Sequence, residues 1–241
     1  MKKHKKTKGR KVANKTIKAN LQPKGSKSHM KLIPRSFGYL VESASSESVR
    51  YALTGVLVEF DKKTTKGIAS NGTQLILAEV PSVSPSKFPN VGLNGIDFKR
   101  VILESGALAK ATSQVPKKPS LGIFNNIAIN KEDEKSKKIT LVTADAGSKT
   151  IEESEEIEGN FPDWKAVIPK DDKKDIFICV DARKLANLLE TIMRIAELGK
   201  YSNHAVKIHI RGKDSAMKVT TFNKETNINV TGVLMPLAID M

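Results

Sequence analysis

Apolar and polar positions alternate most regularly near the C-terminal end. Val206, Ile208 and Ile210 interleave with Lys207, His209 and Arg211, the pattern of an antiparallel strand covered on one face. The spacing predicts a strand over 206–211 and further strands over 217–223 and 227–235. Upstream, over 181–198, the period becomes helical. Leu185, Leu188, Leu189, Ile192, Ile195 and Ala196 fall on one stripe, with Asp181 placed as N-cap and Gly199 as stop.

The same phrase, a helical stretch followed by strands, occurs twice before this. The first begins with a strand at Leu32-Ile33 and a short helix from Pro34 to about Ser45. Strands are then predicted over 52–60, 67–70 and 74–80, closed by a proline- and serine-rich loop over 81–94. The second puts a helix over 97–112, with Phe98, Val101, Ile102, Leu108 and Ala109 as its apolar positions. Strands over 121–129, 139–144 and 150–156 follow, and the charged insert 130–138 reads as an exposed hairpin tip. The body is therefore expected to hold half-units 31–92, 93–169 and 170–241, an α+β arrangement of antiparallel sheets.

Charge changes this picture at the N-terminus. The net charge is +15, yet residues 1–31 hold twelve Lys or Arg and no Asp or Glu, leaving a nearly balanced body. A segment so basic, without aromatics or apolar period, is expected to be disordered alone and drawn to nucleic-acid phosphates. A solubilising extension fits the same composition, and Met30 offers an internal start. With 39% hydrophobic and only 5% aromatic residues, the core must be largely aliphatic. The single cysteine, Cys179, excludes a disulfide framework within the chain, fits a reducing compartment and is expected to be a small buried hydrophobe. No apolar run approaches the ~20 residues that span a bilayer, and the N-terminus lacks the apolar segment of a secretory signal.

Chemistry is hard to find. The four histidines, His4, His29, His204 and His209, make no zinc spacing with a cysteine. Neither a phosphate-binding glycine loop nor a Gly-x-Ser-x-Gly elbow occurs. The acidic run 152–156 would put successive carboxylates on opposite faces of a strand, which suits a solvated edge better than a metal. These absences point to a binding protein without catalytic residues, metal or cofactor.

Three phrases then stand out together: Y51-ALTGVLVEF with the turn Ala69-Ser70-Asn71-Gly72-Thr73-Gln74-Leu75; Gly159-Asn160-Phe161-Pro162-Asp163-Trp164 ahead of Ile168-Pro169; and the terminal Met235-Pro236. In this order they resemble the bacterial sliding clamp family, the beta subunit of DNA polymerase III. The resemblance implies the sliding-clamp fold, with repeated half-units, helices lining a bore and sheets outside. It implies a DNA-bound processivity factor that is cytoplasmic and nucleoid-associated. Its partners would be duplex DNA, a polymerase or other proteins bearing a clamp-binding motif, a clamp loader and further copies of itself, with no membrane.

Carried over by position, the peptide-binding residues are Ser70, Gly72, Thr73, Leu75, Pro169, Val233, Met235, Pro236 and Leu237. Thr73 and Gln74 stand where the family has His and Arg. The DNA-facing candidates are Lys99, Arg100, Lys110, Arg183, Lys184 and Arg194, on the helices that would line the bore. The tail adds Lys2, Lys3, Lys5, Lys6, Lys8, Arg10 and Lys11. A full clamp subunit has six half-units and this chain about three, so the third is expected to seek a partner, most simply as a two-fold pair. Four chains would complete a twelve-half-unit ring, or three if the chain holds four half-units. A non-encircling peptide-binding adaptor and a DNA-binding regulator acting through its tail are the alternatives.

Overall fold

The computed structural model describes residues 29–89, 92–93, 95–170, 172, 175–196 and 204–237. The chain divides into two compact units, with the boundary between Ile168 and Pro169.

The first unit is built on reciprocal strand exchange. Strand β1 (Lys31–Pro34) runs into a 3-10 helix, Arg35–Ser43, then a second, Ser48–Thr54, and the hairpin strands β2 (Gly55–Phe60), β3 (Thr64–Ser70) and β4 (Leu75–Pro81). Strand β5 (Arg100–Glu104) runs into helix α1 (Ser105–Gln114) and then β6 (Asn126–Lys131), β7 (Lys138–Asp145) and β8 (Ser148–Glu155). Each leading strand leaves its own set. One sheet has the order β1-β6-β7-β8 and the other β4-β3-β2-β5. Both exchanged strands are antiparallel to their hosts, Pro34 facing Asn126 and Glu104 facing Gly55.

The residue types explain the exchange. Ile33, Val101 and Leu103 bring apolar side chains to a shared core with Val56, Val58, Phe60, Ile127, Ile129, Ile139 and Leu141. The next residues along face outward into smaller clusters: Leu32 packs with Ala128 and Val142, and Ile102 with Leu57 and Ile68. A strand buried on both faces reads as a continuous apolar run, as Val101-Ile102-Leu103 does. The helices cover the common core. Phe37, Leu40 and Ser43 recur every three residues, which is the period of a 3-10 helix, and all three are buried. Gly38 lets this helix approach α1, because a Cβ there would lie 2.1 Å from Thr112 Oγ1. Glu104 caps α1, its carboxylate accepting N–H bonds from Gly106 at 2.9 Å and Ala107 at 2.7 Å.

Several expectations are corrected here. The helix expected over 97–112 begins only at Ser105, because Phe98, Val101 and Ile102 belong to a strand and its approach rather than to a helical stripe. Residues 52–54 end a 3-10 helix instead of opening a strand, and residues 122–125 also form a 3-10 turn before β6. The charged insert does lie at the β6–β7 hairpin tip. Three carboxylates of the acidic run are spent in ion pairs: Glu152 with Lys110, Glu153 with Lys138 and Glu156 with Lys131.

A short helix, α2 (Trp164–Val167), lies near the end of the first unit. In the second unit, helix α3 (Ala182–Ile195) precedes β9 (Lys207–His209), β10 (Met217–Asn223) and β11 (Ile228–Leu234), in a sheet ordered β11-β10-β9. Asp181 Oδ1 caps α3, accepting from the N–H of Arg183 at 2.9 Å and of Lys184 at 3.0 Å. Ile192 and Ala196 pack on Met217, Val219 and Val230, with Leu185, Leu188 and Leu189 at the margin. Asn223 Nδ2 donates to the carbonyl of Ala196 at 2.7 Å, satisfying a group at the helix end. Two expectations fail in this unit. The alternating 206–211 segment is covered only at Val206, which packs on the core, while Ile208 is 51% exposed. Cys179 is half-buried in an irregular segment rather than buried in a strand.

Candidate peptide and DNA sites

The turn between β3 and β4 is rigid by construction. Asn71 Oδ1 accepts from the backbone N–H of Thr73 and of Gln74, each at 3.0 Å, and from Thr73 Oγ1 at 2.8 Å. Ser70 Oγ accepts from Gly72 N at 3.1 Å and donates to the Gln74 carbonyl at 2.7 Å. Gly72 sits at φ +92°, a conformation that side-chain-bearing residues rarely adopt. Short polar side chains hold the loop by bonding to its backbone, so its apolar flank needs no packing to stay in place.

That flank opens on a cavity of about 250 Å³ lined by Leu53, Ser70, Gly72, Thr73, Gln74, Leu75, Phe161, Pro162, Trp164 and Val167. Its floor is an apolar cluster in which Leu53, Phe161 and Trp164 pack with Leu57, Ile68, Ile102 and Ile157, and Leu75 lies partly buried against it. The far wall comes from a short helix, α2 (Trp164–Val167), capped by Asp163, whose Oδ1 accepts from Lys165 N at 3.1 Å. The Nζ atoms of Lys66 and Lys165 stand 5.8 Å and 5.3 Å from the Trp164 ring centre, within cation–π range. Val167 is exposed at the rim. The result is a small apolar slot with a preset polar turn.

Of the residues expected here, the structure gathers Ser70, Gly72, Thr73 and Leu75 around one cavity. It adds Leu53, Gln74, Phe161, Pro162, Trp164 and Val167. The signal for Phe161 and Trp164 was present in the closing phrase, but large aromatics are by default core residues, and here they are core and wall at once. Pro169, Val233, Met235, Pro236 and Leu237 belong to the second unit. There Val233 and Met235 are exposed, and the Leu237 N–H donates to the Cys179 carbonyl at 2.7 Å.

The basic residues are dispersed. Lys99 and Arg100 are exposed but lie on the approach to β5 and in β5, not on a helix, which removes the reason for choosing them. Lys110 is on α1 and is paired with Glu152 at 2.6 Å. On α3, Arg194 pairs with Glu190 at 2.6 Å, while Arg183 and Lys184 are exposed in the first turn. Lys2, Lys3, Lys5, Lys6, Lys8, Arg10 and Lys11 lie outside the described residues, as does Gly199. Among the described residues no cluster of His, Cys, Asp and Glu is placed to hold a metal, and no helix is long and apolar enough to cross a membrane.

No family model matches the chain. It is 28% identical over 209 residues to the beta sliding clamp of Buchnera aphidicola subsp. Acyrthosiphon pisum (strain APS), an alignment covering 83% of this chain and 48% of that clamp. Among solved structures, the DNA polymerase sliding clamp of Bacillus subtilis superposes with a TM-score of 0.63 at 15% identity, over 90% of this chain and 51% of the clamp. The sliding clamp of Bartonella birtlesii, bound to griselimycin, superposes with a TM-score of 0.60 at 17% identity, over 92% and 55%. The chain thus spans about half the length of the clamps it matches. The resemblance first visible in three short phrases is borne out: this chain has the sliding-clamp fold and is similar in sequence to a bacterial beta sliding clamp.

Proposed function

We propose that this chain is a clamp-like DNA-replication factor, a non-enzymatic tether that holds duplex DNA and captures a polymerase or another DNA-processing protein by a short peptide. The observation behind the tether is the cavity formed by the Ser70–Leu75 turn, Phe161 and Trp164. Its apolar slot suits one or two apolar side chains of an extended segment. A pocket of this size gives modest affinity, because the peptide must be ordered on binding.

The test is a titration with a fluorescent peptide bearing the clamp-binding motif of a replicative polymerase. Leu75→Ala and Val167→Ala should each weaken binding about 5- to 30-fold, the effect of ~1–2 kcal/mol at an interface anchor. The second-unit residues Pro169, Val233, Met235, Pro236 and Leu237 enter the same titration as separate variants. Binding unchanged in both Leu75→Ala and Val167→Ala, with circular dichroism intact, removes the cavity from the proposal.

DNA contact in this reading is sequence-independent and made to phosphates. The ion pairs of Lys110 and Arg194 shift its weight toward residues 2–31. A chain starting at Met30 should lose most affinity for linear duplex and show a flatter dependence on salt. An identical salt slope in the truncated chain shows that the tail does not anchor DNA. A clamp loader and a cytoplasmic, nucleoid-associated location follow from the same reading.

A further inference from the structure

The first unit shows the assembly rule of this fold twice. A leading strand runs directly into the N-cap of its helix and pairs with the strand that follows the other half-unit's helix. The N-cap residues are Pro34 and Glu104. The residue before each N-cap points into the shared core: Ile33 faces Ile127, and Leu103 faces Val56. Two residues earlier, Val101 repeats the contact against Val58.

The second unit has both halves of this device and completes neither. Asp181 is its N-cap, so the leading segment is Ile176-Phe177-Ile178-Cys179-Val180. That segment pairs with no strand among the described residues, and Ile176 and Phe177 are 58% and 71% exposed. The host position is β9, which follows α3. Among the described residues only one of its edges is paired, to β10, with Ile208 facing Val219. Ile208 therefore points to the face that α3 covers, yet it stands exposed, as does Ile210.

We propose that a second copy of this chain fills the gap, each copy laying residues 176–180 along the free edge of the other's β9. The first unit sets the register. Ile210 lies opposite Met217 by extension of the β9–β10 pairing, as Phe60 lies opposite Thr65 and Lys131 opposite Ile139. The partner's Val180 then falls opposite Val206, its Ile178 opposite Ile208 and its Ile176 opposite Ile210. Every pair on the helix-covered face is aliphatic against aliphatic. A slip of one residue would set Cys179 and Phe177 there and turn the isoleucines outward. Donor and acceptor occur in one chain, so a two-fold operation satisfies both copies with one kind of contact. The internal pseudo-two-fold of the first unit becomes a true two-fold in the pair. It also protects an open strand edge of the kind that otherwise recruits unwanted partners. This inference stands apart from the peptide cavity of the first unit, whose lining residues take no part.

The experiment is the solution mass of the full chain at micromolar concentration by light scattering. The expected value is twice 26.4 kDa. Ile208→Lys should raise the dissociation constant by on the order of 100-fold, because it forces a charge into the buried pairing face. The register predicts that Cys179 of one copy lies across from position 207 of the other. Lys207→Cys should therefore give a covalent dimer on oxidation or with a short bismaleimide, and Lys207→Cys combined with Cys179→Ser should not. A monomeric wild-type chain overturns the proposal. So does a dimer that is indifferent to Ile208→Lys and gives no Cys179-dependent cross-link. If Ile208→Lys fails to fold, the cross-link alone decides.

Discussion

The two units use the same parts and differ in whether the parts meet within one chain. In the first, Leu103 and Ile33 sit one residue before a helix N-cap and are buried against a strand of the sister half-unit. In the second, Val180 occupies the equivalent place before Asp181 and is only half-buried. The difference teaches that the leading strand packs on its own helix but finds its sheet partner outside its own half-unit. Its stabilising partner is elsewhere, in the same chain for the first unit and, we propose, in another copy for the second.

Matched substitutions at these positions should break the comparison most severely. Leu103→Ala removes a side chain 2% exposed and should cost ~2–5 kcal/mol at any protein concentration. Val180→Ala should leave the dilute chain nearly as stable and should instead shift the dimer equilibrium. Denaturant melts at two protein concentrations decide: a concentration-independent shift for Val180→Ala equal to that for Leu103→Ala would erase the distinction between the units. A smaller effect is expected at Gly38→Val, which drives a branched side chain into Thr112 where two helices meet, at a cost of ~1–3 kcal/mol. That loss should appear in the first unit's unfolding step, followed by tryptophan fluorescence from Trp164, the chain's only tryptophan.

How much of this was legible depended on which faces of a segment were buried. The half-unit with one covered face announced itself: α3 with its Asp181 cap and the strand 217–223 were readable from spacing alone. Segment 97–104 was not. Phe98, Val101 and Ile102 have helical spacing, but Val101, Ile102 and Leu103 are all buried because β5 lies between two apolar clusters. A strand covered on both sides loses its alternation, and a short apolar run then fits either period. At the site, the turn was legible because Asn71 and Gly72 have few other uses in sequence. The wall was not, because a buried tryptophan needs no ligand to explain it. Cys179 was misplaced because its apolar neighbours suggested a buried strand, whereas segment 176–180 belongs to no sheet among the described residues.

The smallest expected effect concerns pH at the start of β1. The Lys31 ammonium, 2.6 Å from Asp97, holds that carboxyl below its ordinary value of about 3.9. A carboxyl depressed in the folded state adds stability above its ordinary pKa and loses it as the pH falls through the folded value. Asp97→Asn should therefore lower the first unit's melting temperature slightly at neutral pH and not at all near pH ~2. A difference that grows on acidification would contradict the assignment.

Strand exchange also sets a timetable for synthesis. Strand β1 leaves the ribosome long before its partner β6, which lies near residue 130, so Lys31 must wait for Ile129 to emerge. Until then β2 lacks β5 as well, and the nascent half-unit shows two raw strand borders and an open aliphatic face. Contacts so distant along the chain are slow to form and invite aggregation while they are pending. Cells making this protein quickly should need a holding chaperone while the segment between β1 and β6 is pending. For the second unit, in the proposed pair, the wait ends only when another copy arrives.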